Sequence, residues 1–283
     1  MKHDGNKVIF HTNKGVITYN DIVSALYRLG ADQCDVLFVH SDISFGQLDP
    51  SVKRKELKEL LLDALMEMNV KTLMFPTFTF SFCNKEDYDV EHSVTAMGML
   101  PEYVRNREDA YRTDDPILSV AIIGDRSGFE KMIGRSSCGT GGIFHQLHIS
   151  GKKVKFLFFG TLVTHCFTFM HYIEEIKQVP YRYARPFDGT IIQNGIQTPK
   201  TVDVYVRYKD VGATLPKDFT SYMLEHEIMK KEELGMSSIS IVDERSSYEY
   251  ICSLIDHDPY VFSVLPEDGE LVKEYKYGNI VSM

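Results

Sequence analysis

A chain of 283 residues, 43% hydrophobic and 25% charged, holds enough apolar side chains to bury a sizeable core as a single domain spanning residues 1–283. Its formal net charge of −9, with no Lys/Arg cluster beyond KRKELK, argues against a nucleic-acid surface and favours small cationic ligands over polyanions. Five scattered cysteines without a CxxC pair, an opening MKHDGNKVIF with no secretion pattern, and apolar runs too short to span a bilayer argue against disulfides, structural zinc and membrane, and fit a cytoplasmic protein.

In chain order, DVLFVH (35–40) reads as a strand. SVKRKELKELLLDALMEM (51–68) follows as a helix, with Leu57, Leu60, Leu61, Ala64, Leu65 and Met68 at helical spacing. KTLMFP (71–76) is the next strand, GMLPEYVRNRE a short helix, and ILSVAIIG (117–124) and KKVKFLFFG (152–160) two further strands that end in glycine. Strand alternating with helix predicts an α/β fold. Beyond residue 180 the pattern becomes antiparallel, with QNG as a hairpin signal, so 181–283 should be richer in antiparallel strands. A helix over about 217–234, the strand SSISIV and a helix from Ser246 complete the expectation: one domain, with a mixed, partly antiparallel central sheet flanked by helices.

Sites in such folds gather where loops leave the C-terminal ends of strands. Three polar stretches have that place: HSDISFG (40–46), PTFTFSF (76–82) and FTFMHYIEE (167–175). In the last, His171 precedes Glu174 by three residues and Glu175 by four, so on a helix both acids share a face with the imidazole. Alone, that spacing allows a catalytic pair, metal ligands or a structural histidine. A metal-dependent hydrolase would recruit one of His145, His148 or His165, but no HExxH or second ligand pair is present. Nothing places Cys166 beside the imidazole, and CGTGGIF (138–144) lacks the lysine of a phosphate-binding loop and reads as a flexible loop.

Taken together, LFVHSDISFG, TLMFPTFTF, GMLPEYVRNREDAYRTDDPILSVAIIG and KVKFLFFGTLVTHCFTFMHYIEE occur in an order and at separations that resemble the aminoglycoside 3-N-acetyltransferase family, also called the antibiotic N-acetyltransferase family. IVDERSSYEYICSLIDHDPYVF is similar to its closing helix, so the resemblance covers about residues 16–262. It implies a fold distinct from the GNAT acetyltransferases and acetyl transfer from acetyl-coenzyme A to a small-molecule amine, with no metal, and it allows for a homodimer. By the same resemblance His171 matches the catalytic histidine, Thr168 the threonine near the thioester and Glu174 the following acid. His40, Ser41, Ser44, Thr77, Thr79 and Ser119 match the cofactor cleft. The residue types suit the chemistry, because a histidine takes the proton of an alkylammonium near neutral pH and a carboxylate fixes its tautomer. A non-catalytic relative that binds coenzyme A is the remaining alternative.

The departures fall in loops. Asp115 stands where the family has histidine before proline, Asp42 replaces the second serine of the first motif, and the Gly141–Gly142 pair replaces a Ser-Pro element. Only twelve residues, CNKEDYDVEHSV, separate Phe82 from TAMGMLPE, where drug-modifying members carry a longer acidic segment. The acceptor is expected to be an amino sugar, nucleotide-linked or otherwise, or an aminoglycoside-like amine; these changes imply one smaller or less cationic than an aminoglycoside, with Asp115 as a candidate contact and Glu175 either a second contact or a solvent-facing acid.

Overall fold

The computed structural model describes residues 3–275. The chain begins with a hairpin of β1 (Val8–Thr12) and β2 (Gly15–Thr18) and helix α1 (Tyr19–Leu29), followed by β3 (Val36–Ser41), β4 (Gln47–Leu48), α2 (Arg54–Met66), β5 (Thr72–Pro76) and β6 (Tyr88–Asp89). Next come α3 (Met99–Arg105), β7 (Ala110–Arg112), β8 (Val120–Gly124), α4 (Ile143–Ile149), β9 (Val154–Phe159), α5 (Val163–Cys166) and α6 (Phe169–Ile176). A long hairpin of β10 (Arg182–Gln193) and β11 (Ile196–Arg207) leads to β12 (Gly212–Ala213), α7 (Phe219–Glu225), β13 (Met229–Leu234), β14 (Ser237–Asp243), α8 (Glu244–His257) and β15 (Ser263–Val264).

The central sheet has the order β13-β14-β9-β3-β5-β8-β7. Its middle pairs, β9–β3 and β3–β5, are parallel, and the flanking pairs are antiparallel, so the sheet is mixed as expected. Parallel strands buried on both faces read as continuous apolar runs, which is why VLFV and VKFLFF are so hydrophobic. Their period of two sends Phe38, Phe156 and Phe158 into one core with α6 and α8, and Leu37, Val39, Leu157 and Phe159 into a second core with α1 and α2. The β10–β11 hairpin turns at Asn194 and Gly195, both left-handed (φ 51° and 75°), as the QNG signal predicts.

Three expectations need correction. The helix expected over 217–234 is α7 alone; the chain turns at Glu227 (φ 56°), and MKKEEL pairs with β14 as an edge strand. Pairing overrides the helical propensity of Lys and Glu, and the charges suit an edge that must not recruit another strand. The strand expected at 117 starts only at Val120, because the Asp115 carboxylate accepts from the amides of Ile117 and Leu118 and folds this stretch into a turn. The last helix begins at Glu244 rather than Ser246, since Asp243 caps it by accepting from the Ser246 amide.

Candidate active site

Helix α6 follows β9 after the short helix α5 and buries Phe169, Tyr172 and Ile173; Phe169 lies 4.9 Å from Phe156 between ring centroids. That packing fixes the rotation of the helix and sends His171 and Glu174, one turn apart, to a shared buried face (8% and 2% exposed). His171 Nδ1 is 2.7 Å from Glu174 Oε2. After α6 the chain reverses at Gln178 (φ 52°), with the Val179 amide donating to the Glu174 carbonyl, and returns as β10. The reversal delivers two more groups. Tyr181 donates its hydroxyl to Glu174 Oε1 at 2.7 Å, and Arg182 Nη2 lies 3.1 Å from Glu174 Oε2 and 3.1 Å from His171 Nδ1. Arg182 is itself held by donation from Nη1 to the Tyr205 carbonyl across the hairpin, at 2.9 Å.

The charges of this set are defined by its surroundings. Burial pushes the Glu174 carboxyl up, but Arg182, His171 and the Tyr181 hydroxyl together outweigh it and hold it at about 2. Burial and the Arg182 charge push the His171 imidazole below its ordinary value, against the pull of Glu174. Near neutral pH Glu174 is therefore an acceptor only, and the 2.7 Å contact requires Nδ1 to carry the hydrogen. Nε2 keeps its lone pair. This arrangement can accept a proton at one defined atom.

The remaining sequence-derived residues divide by position. Thr168 stands at the head of α6, where its carbonyl accepts from the His171 amide and its hydroxyl donates to the Cys166 carbonyl. His40 and Ser41 end β3. The His40 ring stacks on Phe158 (5.2 Å), and burial pushes its pKa down to about 3, so it is neutral. His40 Nε2 and the Ser41 hydroxyl are buried with no protein hydrogen-bond partner among the described residues. Ser44 is exposed and donates to Asp42. Thr77 and Ser119 are fully buried and bond to one another, whereas half-buried Thr79 donates to the Pro116 carbonyl. Asp115 is 3% exposed and accepts from Ser137 as well as from its own turn, so it builds the loop framework.

Glu175 is half-buried and accepts from Ser136 at 2.8 Å; burial raises its pKa. It lies against the glycine-rich loop so closely that a Cβ on Gly139 would meet its Oε1 at 2.1 Å. The glycines of that loop, expected to serve flexibility, serve contact instead: a Cβ on Gly141 would lie 2.2 Å from the Gly134 nitrogen. The histidines of the metal reading are dispersed. His148 pairs with Glu244, His145 accepts from the Gly141 amide, and His165 lies exposed on α5. Among the described residues, potential ligands gather only at Asp89, Glu91 and His92, in an exposed turn. A shallow hollow of about 290 Å³ beside the N-terminal hairpin is lined by none of the site residues.

The family model for aminoglycoside 3-N-acetyltransferase matches residues 38–255, more than half of the chain. The chain belongs to this family. The matched span takes in β3, β5, β9 and α6, the elements that carry the site, and the enzyme is accordingly an N-acetyltransferase. Among curated proteins none matches the sequence significantly. Its fold is similar to that of AAC-IIIb in binary complex with CoASH (16% identity, 85% of this chain and 97% of that one, TM-score 0.70). It is also similar to YokD protein from Bacillus subtilis (17%, 85% and 93%, 0.67) and to a mutant of AAC(3)-IVa in complex with apramycin (16%, 86% and 93%, 0.65).

The candidate site includes residues that sequence reasoning missed, namely Tyr181, Arg182 and Ser136. A partial signal for the first two was present: VPYRY comes just after the HxxE helix, and its proline marks the end of that helix, so the next residues start a new element close to it. Ser136 carried no such signal, because its meeting with Glu175 depends on the path of a loop 39 residues away.

Proposed function

We propose that this acetyltransferase moves the acetyl group of acetyl-coenzyme A to the amine of an amino sugar by direct attack on the thioester, with His171 as general base and Glu174 as its orienting acid. The observation that carries the reading is the buried His171–Glu174 contact of 2.7 Å, which directs the imidazole lone pair to Nε2. Nε2 takes the proton that an alkylammonium must lose before its nitrogen can attack, and Glu174 stabilises the imidazolium that forms. Thr168, one turn earlier, lines the thioester side. Acetyl-coenzyme A supplies the activated acyl group, and the residues fit it: His40 Nε2 and Ser41 Oγ, without a hydrogen-bond partner among the described residues, can bond its amide-rich arm, with Ser44 and Thr79 as further hydroxyls of the same cleft. Thr77 and Ser119 shape that cleft from behind through their mutual bond.

The acceptor reading rests on where the acids are. In the short 83–94 segment, Asp87 accepts from the Thr190 amide, Glu91 from the Asn194 amide, and Asp89 closes its own turn. Asp87 and Glu91 thus tie the segment to the β10–β11 hairpin, and the remaining acid, Glu86, is exposed on the surface. Glu175 is then the acid beside His171 that can meet an ammonium group, and one such group suits an amino sugar, nucleotide-linked or otherwise, better than a polycationic drug. A thiol-release assay with acetyl-coenzyme A against a panel of amines tests both points. Turnover of nucleotide amino sugars is expected; robust turnover of kanamycin-type drugs instead would sink the small-acceptor reading.

A further inference from the structure

We propose that Arg182 is a positioning residue for His171: from the first residue of β10 its guanidinium balances the Glu174 carboxylate, which keeps the buried imidazole uncharged and its Nε2 free to accept a proton. The inference rests on the reading of His171 as the base and adds the group that holds the base ready.

The geometry is specific. The side chains of Arg182 and Glu174 are each 2% exposed, and their closest atoms are 3.1 Å apart. A carboxylate so deeply buried requires a compensating positive charge. Two groups in direct contact can supply it, the guanidinium or a protonated imidazole, and both meet the same oxygen, Oε2. With Arg182 present, the Arg–Glu pair is already neutral and a second positive charge on the imidazole is opposed. Without it, the Glu–His pair retains a buried negative charge, and the least costly remedy is a proton on the imidazole. Arg182 is fixed for this role by its Nη1 bond to the Tyr205 carbonyl, so the planar fork reaches Glu174 without searching rotamers.

The other groups facing the pair do not replace it. Tyr181 donates to the far oxygen of Glu174 and is neutral, since burial raises its pKa. Arg207, opposite Arg182 in the hairpin register, adds positive potential in the same direction. Glu175 turns to Ser136, and the neighbouring Cys138 thiol is held protonated by burial. Helices α4 and α8, which also pack on α6, present His145, His148 and Tyr248 to Tyr172.

The test is nitrogen-15 NMR titration of the free full-length protein, with the His171 signals assigned by their loss in His171→Asn, alongside the pH profile of kcat/KM. In the wild type His171 should carry its hydrogen on Nδ1. A hydrogen on Nε2, with Arg182 donating into Nδ1, would overturn the proposal without any variant at position 182. Arg182→Met should raise the imidazole pKa, and with it the acidic limb of kcat/KM, by about one pH unit or more, a tenfold change in the protonation equilibrium. Arg182→Lys, which restores the charge, should bring it back toward the wild-type value. An imidazole pKa that is unchanged or lower in a folded Arg182→Met refutes the proposal. Because the titration needs neither acetyl donor nor acceptor, a failure to find an acceptor would count against the functional reading alone.

Discussion

Replacing Glu174 by glutamine preserves the side-chain shape and removes one buried charge. In the folded protein the Glu174 carboxyl is held at about 2 against an ordinary value of 4.5, a fall worth about 3 kcal/mol of stability at neutral pH. A second route gives the same size: breaking a buried ion pair from one side strands the Arg182 charge, which typically costs about 3–5 kcal/mol. Because the folded pKa is depressed, the contribution is fully present above pH 4.5 and is lost as pH falls toward 2. Urea unfolding at pH 7 should therefore show Glu174→Gln about 3 kcal/mol less stable than wild type, and the gap should narrow by about 1 kcal/mol at pH 4, where the unfolded carboxyl is mostly protonated. A gap below about 1 kcal/mol at pH 7, or one independent of pH, would show that Glu174 is not held as a buried anion and would remove the basis for the Nδ1–H tautomer.

His171→Asn should lower kcat by about two to four orders of magnitude, the range for a lost general base, with stability much less affected; near-wild-type kcat in the thiol-release assay would displace His171 from its role. His40→Phe should leave the urea midpoint unchanged or higher, because Nε2 has no partner to lose among the described residues, and should raise KM for acetyl-coenzyme A; an unaltered KM would detach His40 from the donor side. Glu175→Gln should raise KM for a cationic acceptor and leave KM for acetyl-coenzyme A alone, and equal effects on both would place Glu175 outside the acceptor subsite. Gly141→Ala combines a left-handed residue (φ 91°) with a Cβ 2.2 Å from the Gly134 nitrogen, so a loss of more than about 2 kcal/mol in urea unfolding is expected; a smaller loss would mean that the loop can shift.

What the sequence revealed of this fold follows from which interactions are local. The buried strands at 36–41, 72–76 and 154–159 announce themselves through apolar runs, and the hairpin through Asn194–Gly195, because strand burial and turn geometry are written into neighbouring residues. Met229–Leu234 is not so written: its Lys and Glu side chains favour a helix, and only the partner strand Ser237–Asp243 makes it β. The N-terminal element, left out of the expected order of elements, carries a local signature in Thr18 and Asp21, which cap helix α1 reciprocally, and in Gly30, which closes it.

The site shows the same division at finer scale. Helical spacing alone places Glu174 beside His171, so the pair is legible as soon as FTFMHYIEE is taken for a helix. What spacing cannot supply is the protonation state that makes the pair useful. A histidine against a buried carboxylate is at least as ready to be an imidazolium as a base, and the arginine that decides between them comes from a different element, eleven residues on. The reversal at Gln178 after α6 and the antiparallel register that sets Arg182 opposite Arg207 are thus as much part of the chemistry as the histidine itself. Function here is specified by a local pair, and made competent by the sheet that closes over it.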